Sequence, residues 1–158
     1  MPVERAFQPT DPLSPAELEA ILETAYVVVS ADRTVREEEI EAIEAVAVRL
    51  GEPGPRRAGT APAPSPEALA QLLDVFSERL QRDGAEKRLE AIAAALPRPT
   101  TRALAYRVAC ALSLSDLDTH DREFELDLSL IAAFGLPQET ADELAAEVHE
   151  SLAAVSSQ

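Results

Sequence analysis

Two stretches of the chain superpose when one is slid 84 residues onto the other: Ala25 to Pro53 (AYVVVSADRTVREEEIEAIEAVAVRLGEP) and Ala109 to Pro137 (ACALSLSDLDTHDREFELDLSLIAAFGLP). The shift lays Ala25 on Ala109, Asp32 on Asp116, Glu39 on Glu123, Glu41 on Glu125, Gly51 on Gly135 and Pro53 on Pro137. The matches are few, but they keep their spacing. A unit used twice, neither copy of which can bury its apolar face alone, has to pack against itself. The repeat therefore predicts two pseudo-symmetric halves around one core.

Each copy reads as an apolar helix, an acidic turn and a second helix that carries glutamates, closed by Gly51 or Gly135 with Pro53 or Pro137 following. Glycine just past a helix end and proline soon after form the expected terminator. The rest of the chain is also helical in pattern. Ser14-Pro15-Ala16-Glu17 forms a capping box with proline in the first helical position, and Leu18, Ile21, Leu22, Ala25 and Val28 recur behind it at helical spacing. Tyr26 to Val29 is apolar all round and could pass for a strand, but the upstream cap and the repeat favour a buried helix end. Thr34 to Glu37 offers a second box, opening a stripe of Ile40, Ile43, Ala47 and Leu50. After Ser65-Pro66-Glu67 come Leu69, Leu72, Leu73, Phe76 and Leu80, until Asp83-Gly84 breaks the run. A shorter helix with Leu89, Ile92, Ala93 and Leu96 follows, then a counterpart of the first helix with Leu104, Val108, Ala111 and Leu112. A sixth carries Phe124, Leu128 and Ile131, and a seventh carries Leu144, Val148, Leu152 and Val155. The expected fold is all-α, about seven helices in one bundle-like domain. Residues 1–13, with prolines at 2, 9 and 12, are expected to be a flexible tail before a domain spanning 14–156. The Pro/Gly-rich stretch 51–65 is expected to connect the halves flexibly.

Length and charge limit the function classes. The 158 residues suit a single core without metals or disulfides to hold it together. Twenty-nine acidic against fourteen basic residues leave a net charge of −15, which repels phosphate backbones and anionic lipid. Nucleic acid is not an expected partner; cations and basic protein surfaces are. The single cysteine, Cys110, excludes an internal disulfide and fits a core position. No apolar run reaches membrane-spanning length and the N-terminus lacks the regions of a signal peptide, so no membrane insertion and a cytoplasmic location are expected.

The acidic turns are the candidate site. Asp32 and Asp116 follow apolar helices, where the helix dipole disfavours negative charge. Two compensations are open. A hard divalent cation such as calcium, magnesium or manganese could take oxygens from Asp32, Glu39, Asp116, Asp118 and Glu123, with Asp121 nearby. Alternatively, each aspartate accepts from backbone N–H groups at the start of the next helix, as Asp does in turns. An EF-hand is excluded, since its sixth-position glycine and twelfth-position glutamate are Asp121 and Asp127 here. His120, Glu123 and Asp127 fall at helical spacing and could bind a transition metal, although a solvated polar face is the simpler reading. His149 reads as a surface residue. The run Glu37-Glu38-Glu39 with Glu41 and Glu44 suits the N-terminal dipole of its helix and could also dock a basic partner. No nucleophile with a base at motif spacing and no glycine-rich phosphate loop occurs, so no enzyme activity is expected.

The pattern Ala31-Asp32-x-x-Val35-x-x-Glu38-Glu39, closed by Arg49-Leu50-Gly51, resembles the tellurite-resistance TerB family, whose two helical halves each carry an A-D-G-x-hydrophobic-x-x-E-E turn. Ser115-Asp116-Leu117-Asp118 through Glu123 to Phe134-Gly135-Leu136 is similar to the other half. The family's glycine after the aspartate is Arg33 here and Leu117 in the second copy, and the 51–65 connector is long for the family. The resemblance implies an all-helical, non-enzymatic protein linked to stress or tellurite resistance, with acidic residues holding a divalent cation. The alternative is a metal-independent interaction module similar to the TerB-like part of DjlA-type co-chaperones, its acidic surface recognising a basic protein. A metal-dependent hydrolase ranks below both, for want of a base.

Overall fold

The computed structural model describes residues 12–30, 37–52, 59–114 and 129–156, the side chains of 113, 114 and 151–156 excepted. Asp32, Asp116, Asp118, Asp121 and Glu123 lie outside the described residues, as do His120 and Asp127. Among the described residues there are seven helical segments and no strand, the all-α architecture expected of the pattern. They are α1 (Pro15–Val29), α2 (Glu37–Gly51), α3 (Pro66–Asp83), α4 (Ala85–Ala95), α5 (Pro99–Leu114), α6 (129–134) and α7 (Gln138–Ser156).

α1 is the centre of the molecule. It starts where the capping box predicts: the Ser14 hydroxyl accepts from the Glu17 N–H at 3.1 Å, while the Glu17 carboxylate accepts from the Ser14 N–H at 3.0 Å. Every residue from Ala20 to Val29 is buried, so the apolar run Tyr26–Val29 is a buried helix end and not a strand. Thr24 sits in this interior by donating its hydroxyl to the Ala20 carbonyl at 2.9 Å, within its own helix. α1 packs on α5 most extensively, then on α4, α2 and α3; α7 covers α5.

The two halves bury equivalent positions. Pro15 and Pro99 both open helices, and Ile21/Ala105, Ala25/Ala109, Val28/Leu112, Val46/Leu130 and Leu50/Phe134 are all core residues in both members of the pair. An ion pair fixes their relative direction. Arg98, immediately before α5, donates from Nε and Nη2 to the Glu17 carboxylate in the first turn of α1, at 3.0 and 2.9 Å, and from Nη2 to the Pro12 carbonyl at 3.0 Å. The helices therefore start side by side. Packed along their lengths from that common start, α1 and α5 run parallel, and both end at the same side of the domain.

Two equivalent glycines do different work. Gly135 closes α6 with φ +64°: its N–H bonds the Ala132 carbonyl at 3.2 Å and the Leu136 N–H bonds Ile131 at 3.1 Å, the paired bonds of a Schellman turn. Gly51 is still helical, and a Cβ there would lie 2.3 Å from the Ala63 amide nitrogen. Its requirement is close backbone approach, not a left-handed turn. Ala63 belongs to the segment 59–64, which has no regular structure but is tied down: the Ala61 N–H bonds the Leu13 carbonyl at 2.8 Å and the Leu13 N–H bonds Thr60 Oγ1 at 3.0 Å. Leu13, the last residue of the expected flexible tail, is instead a core residue held by these two bonds.

Candidate functional site

Of the five carboxylates expected to ligate a cation, only Glu39 falls among the described residues. It lies half-buried in the first turn of α2 beside the exposed Glu37 and Glu38, where three acidic side chains face the positive end of the helix dipole. Among the described residues no three His, Cys, Asp or Glu side chains gather closely enough to hold a metal ion. What the structure does supply is the frame from which the acidic turns leave. α1 ends at Val29 and α5 at Leu114, both at one side of the domain, and Asp32 and Asp116 follow within three and two residues. Two parallel helices present their negative ends there. On α1, the Ser30 N–H caps the Tyr26 carbonyl and its hydroxyl donates to Val27 at 3.2 Å, so part of that negative end is already satisfied.

The most enclosed charge among the described residues, Glu23, is one the sequence patterns did not single out. Glu23, only 3% exposed on α1, is held from two other helices. Arg88 of α4 grips it bidentately, Nε to Oε2 at 2.7 Å and Nη2 to Oε1 at 3.1 Å; Arg79 of α3 donates to Oε1 at 3.1 Å. Arg88 also donates to Asp83 at 3.1 Å, and Glu23 and Asp83 together hold the guanidinium's pKa above its ordinary value, Glu23 being the larger cause. Asp83, hydrogen-bonded first by Arg82 and then by Arg88, is pulled down to about 2. For Glu17, burial pushes the carboxyl up, but the Ser14 N–H and Arg98 outweigh it and leave the pKa below its ordinary value. A glutamate in the run AILETAYVVV, apolar but for it and Thr24, was the available signal for Glu23; its partners, 56 and 65 residues away, carried none.

The arginines among the described residues are spent inside the molecule. Arg49, Arg79, Arg82, Arg88, Arg98 and Arg107 each pair with a carboxylate. Arg102 instead donates to three helix-terminal carbonyls, Leu96 at 2.6 Å, Ala93 at 3.0 Å and Phe134 at 3.1 Å, closing the ends of α4 and α6 at once. Outside, α2 presents Glu37, Glu38, Glu41 and Glu44, all exposed, beside the exposed Val48. His149 is exposed on α7 and Cys110 is buried in α5, as expected of a surface and a core residue.

Fold and surface together define an all-α domain of two related halves in which the described arginines are engaged within the molecule and α2 presents an acidic face. No protein-family model matches the chain, and no curated protein or solved structure matches it. Among the described residues no helix is long and apolar enough to cross a membrane.

Proposed function

We propose that the protein is a non-enzymatic, TerB-like helical domain of the stress and tellurite-resistance kind, which binds a divalent cation through Asp32, Glu39, Asp116, Asp118 and Glu123 and passes that state to partner proteins in the cytoplasm. One observation supports the reading: the Arg98–Glu17 pair brings the starts of α1 and α5 together, and the two helices pack on one another, so the helices that precede the two acidic turns end at the same side. Carboxylates that met beside two negative helix ends would repel one another unless a cation, a proton or backbone N–H groups offset them. A hard cation with oxygen ligands is calcium, magnesium or manganese. Titration calorimetry of each into chelator-treated protein tests the proposal, beside the Asp32→Ala/Asp116→Ala variant. Saturable binding lost in the variant supports it. A native protein that takes up none of the three sinks it.

A second reading has its own support. The exposed carboxylates of α2 have no arginine among the described residues to meet them, because those arginines are engaged elsewhere. A metal-independent module would use this face to dock a protein with a basic surface. Its signature is partner capture that survives chelation and Asp32→Ala/Asp116→Ala but falls when Glu37, Glu38, Glu41 and Glu44 are replaced by glutamine.

A further inference from the structure

α3 is the helix least committed to the core. Of its 18 residues only Leu69 and Phe76 are fully buried, Leu72, Leu73 and Leu80 are half-buried, and Val75 is exposed. It packs on α4 and on α1, and two of its side chains one turn apart reach α1. The Phe76 ring lies 6.2 Å from that of Tyr26, and Arg79 Nη1 reaches Glu23 at 3.1 Å and Glu19 at 3.7 Å. Glu19, Glu23 and Tyr26 are spaced four and three residues apart, so they form one stripe along α1.

Both ends of α3 are places where the backbone can pivot. Before it run residues 62–65, which have no regular structure and follow the ties of Thr60 and Ala61 to Leu13. After it stands Gly84, with φ 84° and ψ 161°, a conformation open essentially to glycine alone, and with no atom within 4 Å of where a Cβ would sit. α4, on the far side of that glycine, has no such freedom. Leu89, Ile92 and Ala93 put it in the core, and Arg88 holds both oxygens of Glu23. This last contact decides what undocking α3 costs. Withdrawing Arg79 leaves Glu23 still gripped by Arg88, so no buried carboxylate is stranded, and stranding one is what makes most buried ion pairs expensive to break.

We propose that α3 is a lid, latched by Arg79, that lifts from α1 and α4 as a unit about Gly84 and residues 62–65 while α1, α4 and α5 stay packed. Lifting it bares the Glu19–Glu23–Tyr26 stripe, two carboxylates beside an aromatic ring. The inference does not depend on cation binding and stands or falls separately from it.

Native-state amide hydrogen exchange on the full chain tests it, since local opening and global unfolding exchange amides at different free energies. In the native protein the α3 amides are expected to exchange faster than those of α1, α4 and α5. Arg79→Gln should accelerate α3 by about tenfold, the loss of one charge-assisted hydrogen bond, and leave the other three helices unchanged. Arg82→Gln, which removes an exposed pair at the end of the same helix, should change nothing. Exchange of α3 at the rate of α5, or an Arg79→Gln effect spread evenly over all four helices, would overturn the lid. So would an Arg82→Gln effect as large as that of Arg79→Gln.

Discussion

A carboxylate with 4% of its side chain exposed and two guanidinium partners is a different object from one at the surface, and α1 carries both kinds a single turn apart. Glu23 is closed in by Arg88 and Arg79, whereas Glu19, with a side chain 39% exposed, reaches Arg79 only at 3.7 Å. Replacing Glu23 with alanine leaves the 13%-exposed Arg88 with Asp83 alone and should cost about 3 kcal/mol, the scale of a broken buried pair. Glu19→Ala should stay within about 0.5 kcal/mol, as exposed pairs do. Urea denaturation of the two variants measures the contrast, and equal losses would contradict this account of Glu23. Glu17 adds a pH dependence. Its folded pKa is depressed, so its contribution is present above the unfolded carboxylate value of 4.5 and is lost as pH falls through the lower folded value. Glu17→Gln keeps an acceptor for the Ser14 N–H and removes only the charge facing Arg98. It should destabilise by about 1 kcal/mol at pH 7, modest because the Arg98 side chain is 41% exposed, and by progressively less as the pH falls through the folded value. A deficit that persists undiminished at pH 3 would assign the effect to packing instead.

Elements are where the sequence was most readable, and their joints where it was least. Caps and periodicity locate α1, α3, α4 and α5 because both are local properties: Ser14 and Ser65 accept from N–H groups three residues on, and the apolar positions recur within each helix. The glycines show the limit. Gly51 and Gly135 align in the repeat and look like one device, yet Gly51 answers to Ala63, a residue of a connector whose path no local pattern describes. The same connector hydrogen-bonds Leu13, which the prolines at 2, 9 and 12 before it made look like tail. The two glycines should therefore fail differently. Gly51→Ala gains helix propensity but must push the Ala63 backbone away, for a net loss of about 1–3 kcal/mol. Gly135→Ala meets nothing closer than 3.9 Å and loses only the left-handed preference, about 1 kcal/mol. Asparagine separates them further, being tolerated at 135 as a left-handed residue and worse than alanine at 51. Thermal melts of the four variants settle the point; if Gly51→Asn matched Gly135→Asn, close approach to Ala63 would not be the constraint. Within the candidate site, Glu39 on α2 was legible as a first-turn carboxylate. The parallel setting of α1 and α5 was not, because it depends on Arg98 meeting Glu17 across 81 residues.

At the scale of the whole molecule, a chain of net charge −15 whose described arginines are taken up by internal partners carries its surplus on the outside. Like charges on one surface repel more in the compact state than in the unfolded chain, so screening should stabilise the fold. Monovalent salt is therefore expected to raise the melting temperature gradually, over the range in which the Debye length shrinks from about 30 Å at 0.01 M to about 10 Å at 0.1 M. That response has no address and should be the same in Asp32→Ala/Asp116→Ala, apart from the two charges removed. A cation held at the acidic turns behaves otherwise. Its stabilisation follows the occupancy of a site, about 2.7 kcal/mol at a hundred times the dissociation constant, and continues logarithmically with concentration. For a domain of this size that is a rise of about 5–10 °C. Melting curves in calcium, magnesium and manganese, each against sodium chloride of equal ionic strength, separate the two effects. The expected result is an excess over sodium chloride in the native protein that vanishes in the double variant. If the divalent and monovalent curves coincide at matched ionic strength, the acidic turns hold no cation, and the outward carboxylates of α2 become the feature for which a partner must be sought.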